Sequence, residues 1–340
     1  MTSFNQIVLR SAGRLALPLA VYPGLALTGA TVSDIVTNPR IQFEVQAALQ
    51  HHYGLPFVLS AMDLSAEAEA FGCGLMRSDS EVPTVTGRLV TSQAQADSLA
   101  VPQPGDQRTG VYLETVRLLR QLPSQPFVFA GCIGPFSLAA RLVGMSEAME
   151  LTIADPGLMH TLLQKCTEFL TSYVKAFRAA SAHGIIMAEP AAALLSPRMM
   201  VAYSSVYIKQ IAAGAGDEPF AIVLHNCAAK LLHLPSVLET GLKAFHFGAP
   251  MDIATALDKV APDVVLCGNL DPVGIFVRLS PAEVTGKARQ LLAATTAHRN
   301  FAISSGCDLP HNTPLASLDA FYEALIPENA SAIYRNQVKL

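Results

Sequence analysis

The stretch Phe220-Ala221-Ile222-Val223-Leu224-His225-Asn226-Cys227 is a short apolar run that ends in an imidazole, an amide and a thiol. It shows no polar alternation, the pattern of a strand buried on both faces, as in a parallel sheet covered by helices. Seven further runs of this kind recur, bounded by turn residues: Leu15–Tyr22, Phe57–Met62, Phe127–Gly131, Gly184–Ala188, Lys243–Phe247, Val264–Cys267 and Phe301–Ser304. Between them lie segments with helical spacing. Ala139–Ala148 carries Leu142 and Met145, and Pro156–Ala182 carries a stripe of Leu158, Leu162, Cys166, Leu170, Tyr173 and Phe177. Strand and helix alternating eight times predict an α/β fold, a closed (β/α)8 barrel of the TIM type. The first 14 residues and part of Leu64–Gln125 then become cap or loop additions. An open doubly wound sheet is the other architecture considered, but no Gly-x-Gly-x-x-Gly follows an early strand.

Composition narrows the function classes. Of 340 residues, 51% are hydrophobic and 15% charged, which is ample for a buried core and excludes a disordered chain. Twenty-three basic residues against 27 acidic ones, without a basic block, argue against a nucleic-acid surface. Small molecules or proteins are the expected partners. Six thinly spread cysteines in so long a chain fit a reducing, cytoplasmic compartment, with thiols buried as small hydrophobes or used as metal ligands. The uncharged run Leu15–Ser33 is interrupted by Pro18, Pro23, Gly24 and Gly29, so neither an export signal nor a membrane span is expected there. With no linker or fixed-period repeat, residues 1–340 read as a single domain.

In a barrel of this type the active site is built at the C-terminal ends of the strands. Here those ends carry Asp63, Cys132, Glu189, His225-Asn226-Cys227, His246, Asn269, Asp271 and Cys307-Asp308. Residues two apart on a strand face the same side, so His225 and Cys227 point together, and Cys307 could join them from another strand. An N, S, S set suits zinc and leaves a fourth position open; the competing reading is that these are ordinary buried residues. Asp63 either orients a ligand or caps the helix that follows it, near Ser65 and Glu67. Glu189 is a candidate catalytic group that ligates or hydrogen-bonds the metal site. His246 and Asn269 are candidate substrate contacts, His246 having a core or rim position as its other reading. Cys73, Cys132, Cys166 and Cys267 read as buried small residues.

These residues also carry a family likeness. Asp63-Leu64-Ser65-Ala66-Glu67, Gly134-Pro135-Phe136-Ser137, Ala188-Glu189-Pro190, Leu224-His225-Asn226-Cys227, Gly268-Asn269-Leu270-Asp271-Pro272 and Ser305-Gly306-Cys307-Asp308 occur in this order. Together they resemble the uroporphyrinogen decarboxylase superfamily, within it the zinc-dependent methylcobamide:thiol methyltransferases. The resemblance implies that His225, Cys227 and Cys307 are the zinc ligands and Asp63 faces the substrate cavity. It implies a corrinoid-dependent methyltransferase, moving a methyl group from a methylcobamide to a thiol such as coenzyme M, or to another acceptor such as tetrahydrofolate. The chain has no Asp-x-His-x-x-Gly cobalamin motif, so the corrinoid would arrive on a partner corrinoid protein or as free cofactor.

Two departures from the pattern bear on the acceptor: Ala-Glu-Pro stands where Ala-Asp-Pro is expected, and His-Asn-Cys where His-Ile-Cys is usual. The decarboxylase branch, which uses no metal, is the alternative, as is a non-catalytic corrinoid or metal-binding barrel. A polycarboxylate substrate wants several arginines, and only Arg10 and Arg14 lie near the N-terminal region where decarboxylases keep them.

Overall fold

The computed structural model describes residues 3–215 and 219–326 of the chain. Among the described residues nine strands are formed: β1 (Phe57–Leu59), β2 (Gly74–Met76), β3 (Thr84–Thr86), β4 (Phe127–Ile133), β5 (Gly184–Ala188), β6 (Ala221–Asn226), β7 (Ala244–Phe247), β8 (Val265–Leu270) and β9 (Phe301–Ser305). Seven make one parallel sheet in the order β1-β4-β5-β6-β7-β8-β9, while β2 and β3 form a separate antiparallel pair. Successive strands are neighbours and helices fill the crossovers, the α/β barrel arrangement that the strand-like runs predict. Strands β1, β4, β5, β7 and β9 are buried along their whole length, which explains their unbroken apolar character.

The first expected strand departs from this pattern. Leu15–Tyr22 lies beside β9 in parallel, but the contact is one bridge between Ala16 and Ile303, with Leu17 N donating to Ile303 O and Ile303 N to Leu15 O. Beyond that bridge, serine side chains of β9 take the next backbone groups: Leu19 N donates to Ser305 Oγ (3.0 Å) and Leu17 O accepts from Ser304 Oγ. Towards β1, the buried side chain of Gln46 joins the two segments: its Nε2 donates to Ala20 O (3.2 Å) and its Oε1 accepts from Leu59 N (3.2 Å). A side-chain amide thus satisfies backbone groups that would otherwise be buried without partners.

Helix Pro156–Ala179 buries Leu158, Leu162, Cys166, Leu170, Tyr173 and Phe177, the predicted stripe. The Asp155 side chain accepts from Leu158 N at its start, with Pro156 in the first turn. The expected helix over Ala139–Ala148 is instead two helices, Pro135–Val143 and Met145–Ala154. They meet at Gly144, whose φ of 102° is open to glycine and breaks the helical path. Within 64–125, helix Thr109–Leu119 packs against helix Pro39–Tyr53 and β4, so part of this segment belongs to the ordinary helical layer. No helix among the described residues is long and apolar enough to cross a membrane.

Candidate metal centre and active site

The parallel register sets up the site. His225 on β6 pairs with His246 on β7, and His246 with Cys267 on β8. Paired residues of parallel strands share a face, so the two imidazoles lie side by side. Cys227 follows β6 by one residue, on the same side as His225. Cys307 follows β9 by two. One ligand atom from each of His225, Cys227 and Cys307 lies within 4.8 Å of the others, and Cys307 Sγ is 3.6 Å from His225 Nε2.

Two glycines let the cysteine-bearing ends come this close. A Cβ at Gly248, just past β7, would lie 2.0 Å from the carbonyl oxygen of Cys227, and one at Gly306 would lie 2.9 Å from Ala249 N. Neither position tolerates a side chain without moving backbone. Asn269 reinforces the same loop: its Nδ2 donates to Gly248 O (3.1 Å) and Met251 O (2.6 Å). The expected substrate contact at Asn269 is thus spent, on its donor side, on holding the backbone against Cys227.

His225 is buried, and behind it stands a second imidazole. His225 Nδ1 lies 2.8 Å from His246 Nδ1, and His246 Nε2 lies 2.7 Å from Ser304 Oγ. The Ser304 hydroxyl reaches the carbonyls of Leu17 and Ser305. Burial, and then the neighbouring His225, hold His246 well below the usual imidazole value, so it is neutral. With none of its surface exposed, His246 is not placed to touch substrate as the sequence reading expected; it touches the candidate ligand instead.

The two thiols are shifted in opposite directions. The hydrogen bond from Cys307 draws the Cys227 thiol well below its usual range, and the same contact, with burial, pushes Cys307 up. Two sulfurs facing an imidazole nitrogen are a donor set suited to a soft or borderline cation. The other four cysteines are buried, with thiols raised by desolvation, and stand apart from this set.

Glu189 is not with them. Its Oε1 accepts from Phe136 N (2.8 Å) and Ser204 Oγ (2.8 Å), and its Oε2 from Ser137 N (2.9 Å). The carboxylate caps the N-terminus of helix Pro135–Val143 from across the sheet, where unpaired N–H groups and the helix dipole favour negative charge. Gly134 makes room for it: a Cβ there would lie 2.4 Å from Glu189 Oε2. The expected catalytic or fourth-ligand role is replaced by a structural one, because the carboxylate is already held by three donors.

Asp63 is equally occupied. Its Oδ1 accepts from Ser65 N (2.9 Å) and Ser65 Oγ (2.5 Å), and its Oδ2 from Tyr112 OH (3.0 Å) and from Arg108. Arg108 also donates to Glu69 (2.6 Å) and Ser65 Oγ (2.8 Å), both from the turn and short helix just after Asp63. Four donors fill this buried carboxylate, so it anchors the segment after β1 rather than offering an oxygen to a ligand. Arg108 and Tyr112 escaped the sequence reading because they lie in a segment read partly as loop, 45 and 49 residues from Asp63. Ser304 escaped it as one apolar-run residue among others.

Arg14 lies at the opposite end of the barrel, where its guanidinium holds the carbonyls of Thr295 (2.7 Å), His298 (2.6 Å) and Phe301 (2.8 Å), the last at the start of β9. It is not available to a substrate at the strand C-terminal ends.

Comparison with known proteins agrees with this architecture. The chain is 28% identical over 274 residues to Methylcobamide:CoM methyltransferase MtbA of Methanosarcina acetivorans, covering 79% of each chain. It is 29% identical over 278 residues to the protein of that name from Methanosarcina mazei, again 79% of each. Uroporphyrinogen decarboxylase of Psychromonas ingrahamii is 26% identical over 338 residues, 94% of this chain and 92% of that one. Among solved structures, a methyltransferase from Methanosarcina mazei superposes with a TM-score of 0.84 at 20% identity, covering 95% of this chain and 98% of the other, which shows a shared fold. The family described as uroporphyrinogen decarboxylase (URO-D) matches residues 7–326, and the chain belongs to that family.

Proposed function

We propose that this protein is a zinc-dependent methyltransferase that moves a methyl group from a methylated corrinoid, carried by a partner corrinoid protein, to a small-molecule acceptor. The observation that carries this reading is the convergence of His225, Cys227 and Cys307 within 4.8 Å at the strand C-terminal ends. At tetrahedral angles, zinc bonds of about 2.0 Å to nitrogen and about 2.3 Å to sulfur put such donors about 3.5 to 3.8 Å apart. The 3.6 Å between Cys307 Sγ and His225 Nε2 fits that spacing without rearrangement. Similarity to the two MtbA proteins supports the same chemistry.

Zinc held there supplies Lewis acidity, which keeps an acceptor thiol as thiolate near neutral pH. The chain's own residues supply the rest. His225, Cys227 and Cys307 hold the ion with three donors and leave a fourth position for the acceptor, a thiol such as coenzyme M. Gly248, Gly306 and Asn269 keep the two cysteine-bearing ends in register. In the transfer a sulfur–carbon bond forms as the carbon–cobalt bond breaks. The electron pair of that bond stays on cobalt, which passes from Co(III) to Co(I), and the thiol proton leaves to solvent.

The decarboxylase relatives, aligned over nearly the whole chain, favour a second reading as a porphyrin-handling enzyme. Against it, Asp63 has no free carboxylate oxygen and Arg14 lies at the far end. Turnover of methylcobalamin with coenzyme M, other thiols and tetrahydrofolate, followed by the absorbance of Co(I) corrinoid, tests the proposal. Transfer to a thiol, lost in Cys227→Ala and Cys307→Ala, is expected. Conversion of uroporphyrinogen without any methyl transfer would establish the second reading.

A further inference from the structure

We infer that His246 and Ser304 are positioning residues that fix the tautomer of His225, so that its Nε2 is presented as a lone pair towards the two cysteines. This deepens, and rests on, the metal reading above.

The argument follows hydrogens along one chain of contacts. Ser304 Oγ touches two carbonyls, Leu17 O and Ser305 O, and carbonyls only accept. Whichever carbonyl takes the hydroxyl hydrogen, the remaining 2.7 Å contact needs its hydrogen on His246 Nε2. His246 is fully buried and no carboxylate among the described residues pairs with it, so a second hydrogen would place an uncompensated charge in the core. Its Nδ1 therefore carries a lone pair. The 2.8 Å contact between the two Nδ1 atoms then needs its hydrogen on His225. A neutral His225 with hydrogen on Nδ1 has its lone pair on Nε2, the nitrogen 3.6 Å from Cys307 Sγ.

The opposite tautomer would give the Cys227 sulfur a hydrogen bond in metal-free protein, but it sets lone pair against lone pair between the two imidazoles, 2.8 Å apart. Direction is imposed at the far end of the chain by Leu17, in the extended first run where pairing with β9 stops at one bridge. Outer partners of metal-bound histidines typically change metal affinity by roughly 10- to 100-fold when removed.

Two readouts on the full chain test this. In metal-free protein, imidazole nitrogen NMR should find the His225 hydrogen on Nδ1; finding it on Nε2 overturns the inference, whatever metal the protein binds. Zinc affinity, by chelator competition, should fall about 10- to 100-fold in His246→Leu, with altered absorption bands when cobalt replaces zinc. His246→Gln should restore most of the affinity, since an amide can accept from His225 and donate to Ser304. Equal losses in the Leu and Gln variants would mean a packing role and overturn the inference. Should His246→Leu fail to fold, Ser304→Ala removes the same restraint with a smaller change and should weaken zinc several-fold; unchanged affinity there counts against the relay. Wild-type protein that binds no zinc overturns the metal reading itself, whereas zinc bound equally by wild type and variants overturns only the relay.

Discussion

Cys307 Sγ lies 3.6 Å from His225 Nε2, although 82 residues and two further strands separate them in the chain. Strand order and register bring them together: β6 and β9 end at the same face, and Cys227 completes the set on its own strand. Removing one sulfur leaves two donors, too few to hold a zinc ion tightly. Cys227→Ala and Cys307→Ala are each expected to lower zinc content from about one ion per chain to near zero, as read by elemental analysis after gel filtration. Full zinc retention in both variants would place the metal elsewhere.

Gly248 tests whether backbone approach, rather than ligand identity alone, makes the centre. A methyl group in Gly248→Ala would sit 2.0 Å from Cys227 O, so the strand ends must separate. We predict at least about tenfold weaker zinc binding, while circular dichroism remains that of the native fold. Unchanged affinity would show that the loop yields without disturbing Cys227.

The pair Asp63 and Arg108 makes a prediction about stability. Arg108→Met leaves a buried carboxylate without its cation, at an expected cost of about 3–5 kcal/mol in denaturant unfolding. The double variant Asp63→Asn with Arg108→Met should lose clearly less than the sum of the single changes, since neither charge is then stranded. Additive losses would mean that the two do not act as a pair.

How far the sequence revealed these features depended on how local each one is. The pairing of His225 with Cys227 follows from strand alternation over three residues. Cys307 was reachable because a barrel gathers its strand ends. Glu189 was misread because a carboxylate at a strand end looks the same whether it meets a metal or a helix terminus, and the N–H groups it meets are 52 and 53 residues away. Arg108 lies in a segment without strong periodicity. The placement of His246 behind His225 needed the register of β6 against β7, which the apolar runs alone do not fix. The first strand shrinks to one bridge because the hydroxyls of Ser304 and Ser305 take Leu17 O and Leu19 N, a capture that an apolar run does not reveal.

Glu67 gives the pH dependence. Burial raises its carboxyl from 4.5 to about 7, against the pull of the hydrogen bond from Ile133 N, and its second oxygen has no partner among the described residues. The folded state therefore holds this proton more tightly than the unfolded chain. The stabilisation is complete below pH 4.5 and is lost as pH rises towards about 7. Each shifted unit is worth about 1.4 kcal/mol, so roughly 3 kcal/mol disappears across this window. In Glu67→Gln that part of the slope should vanish, as compared by urea unfolding at several pH values; an identical pH profile in variant and wild type would remove Glu67 as the cause.

X-ray absorption at the zinc edge, recorded before and after addition of a thiol acceptor such as coenzyme M, tests the central claim most directly. The account predicts about one zinc per chain with two sulfur neighbours and at least one nitrogen, rising to three sulfurs when the thiol is added. A zinc shell without sulfur, or one whose sulfur count does not change with thiol, would contradict it.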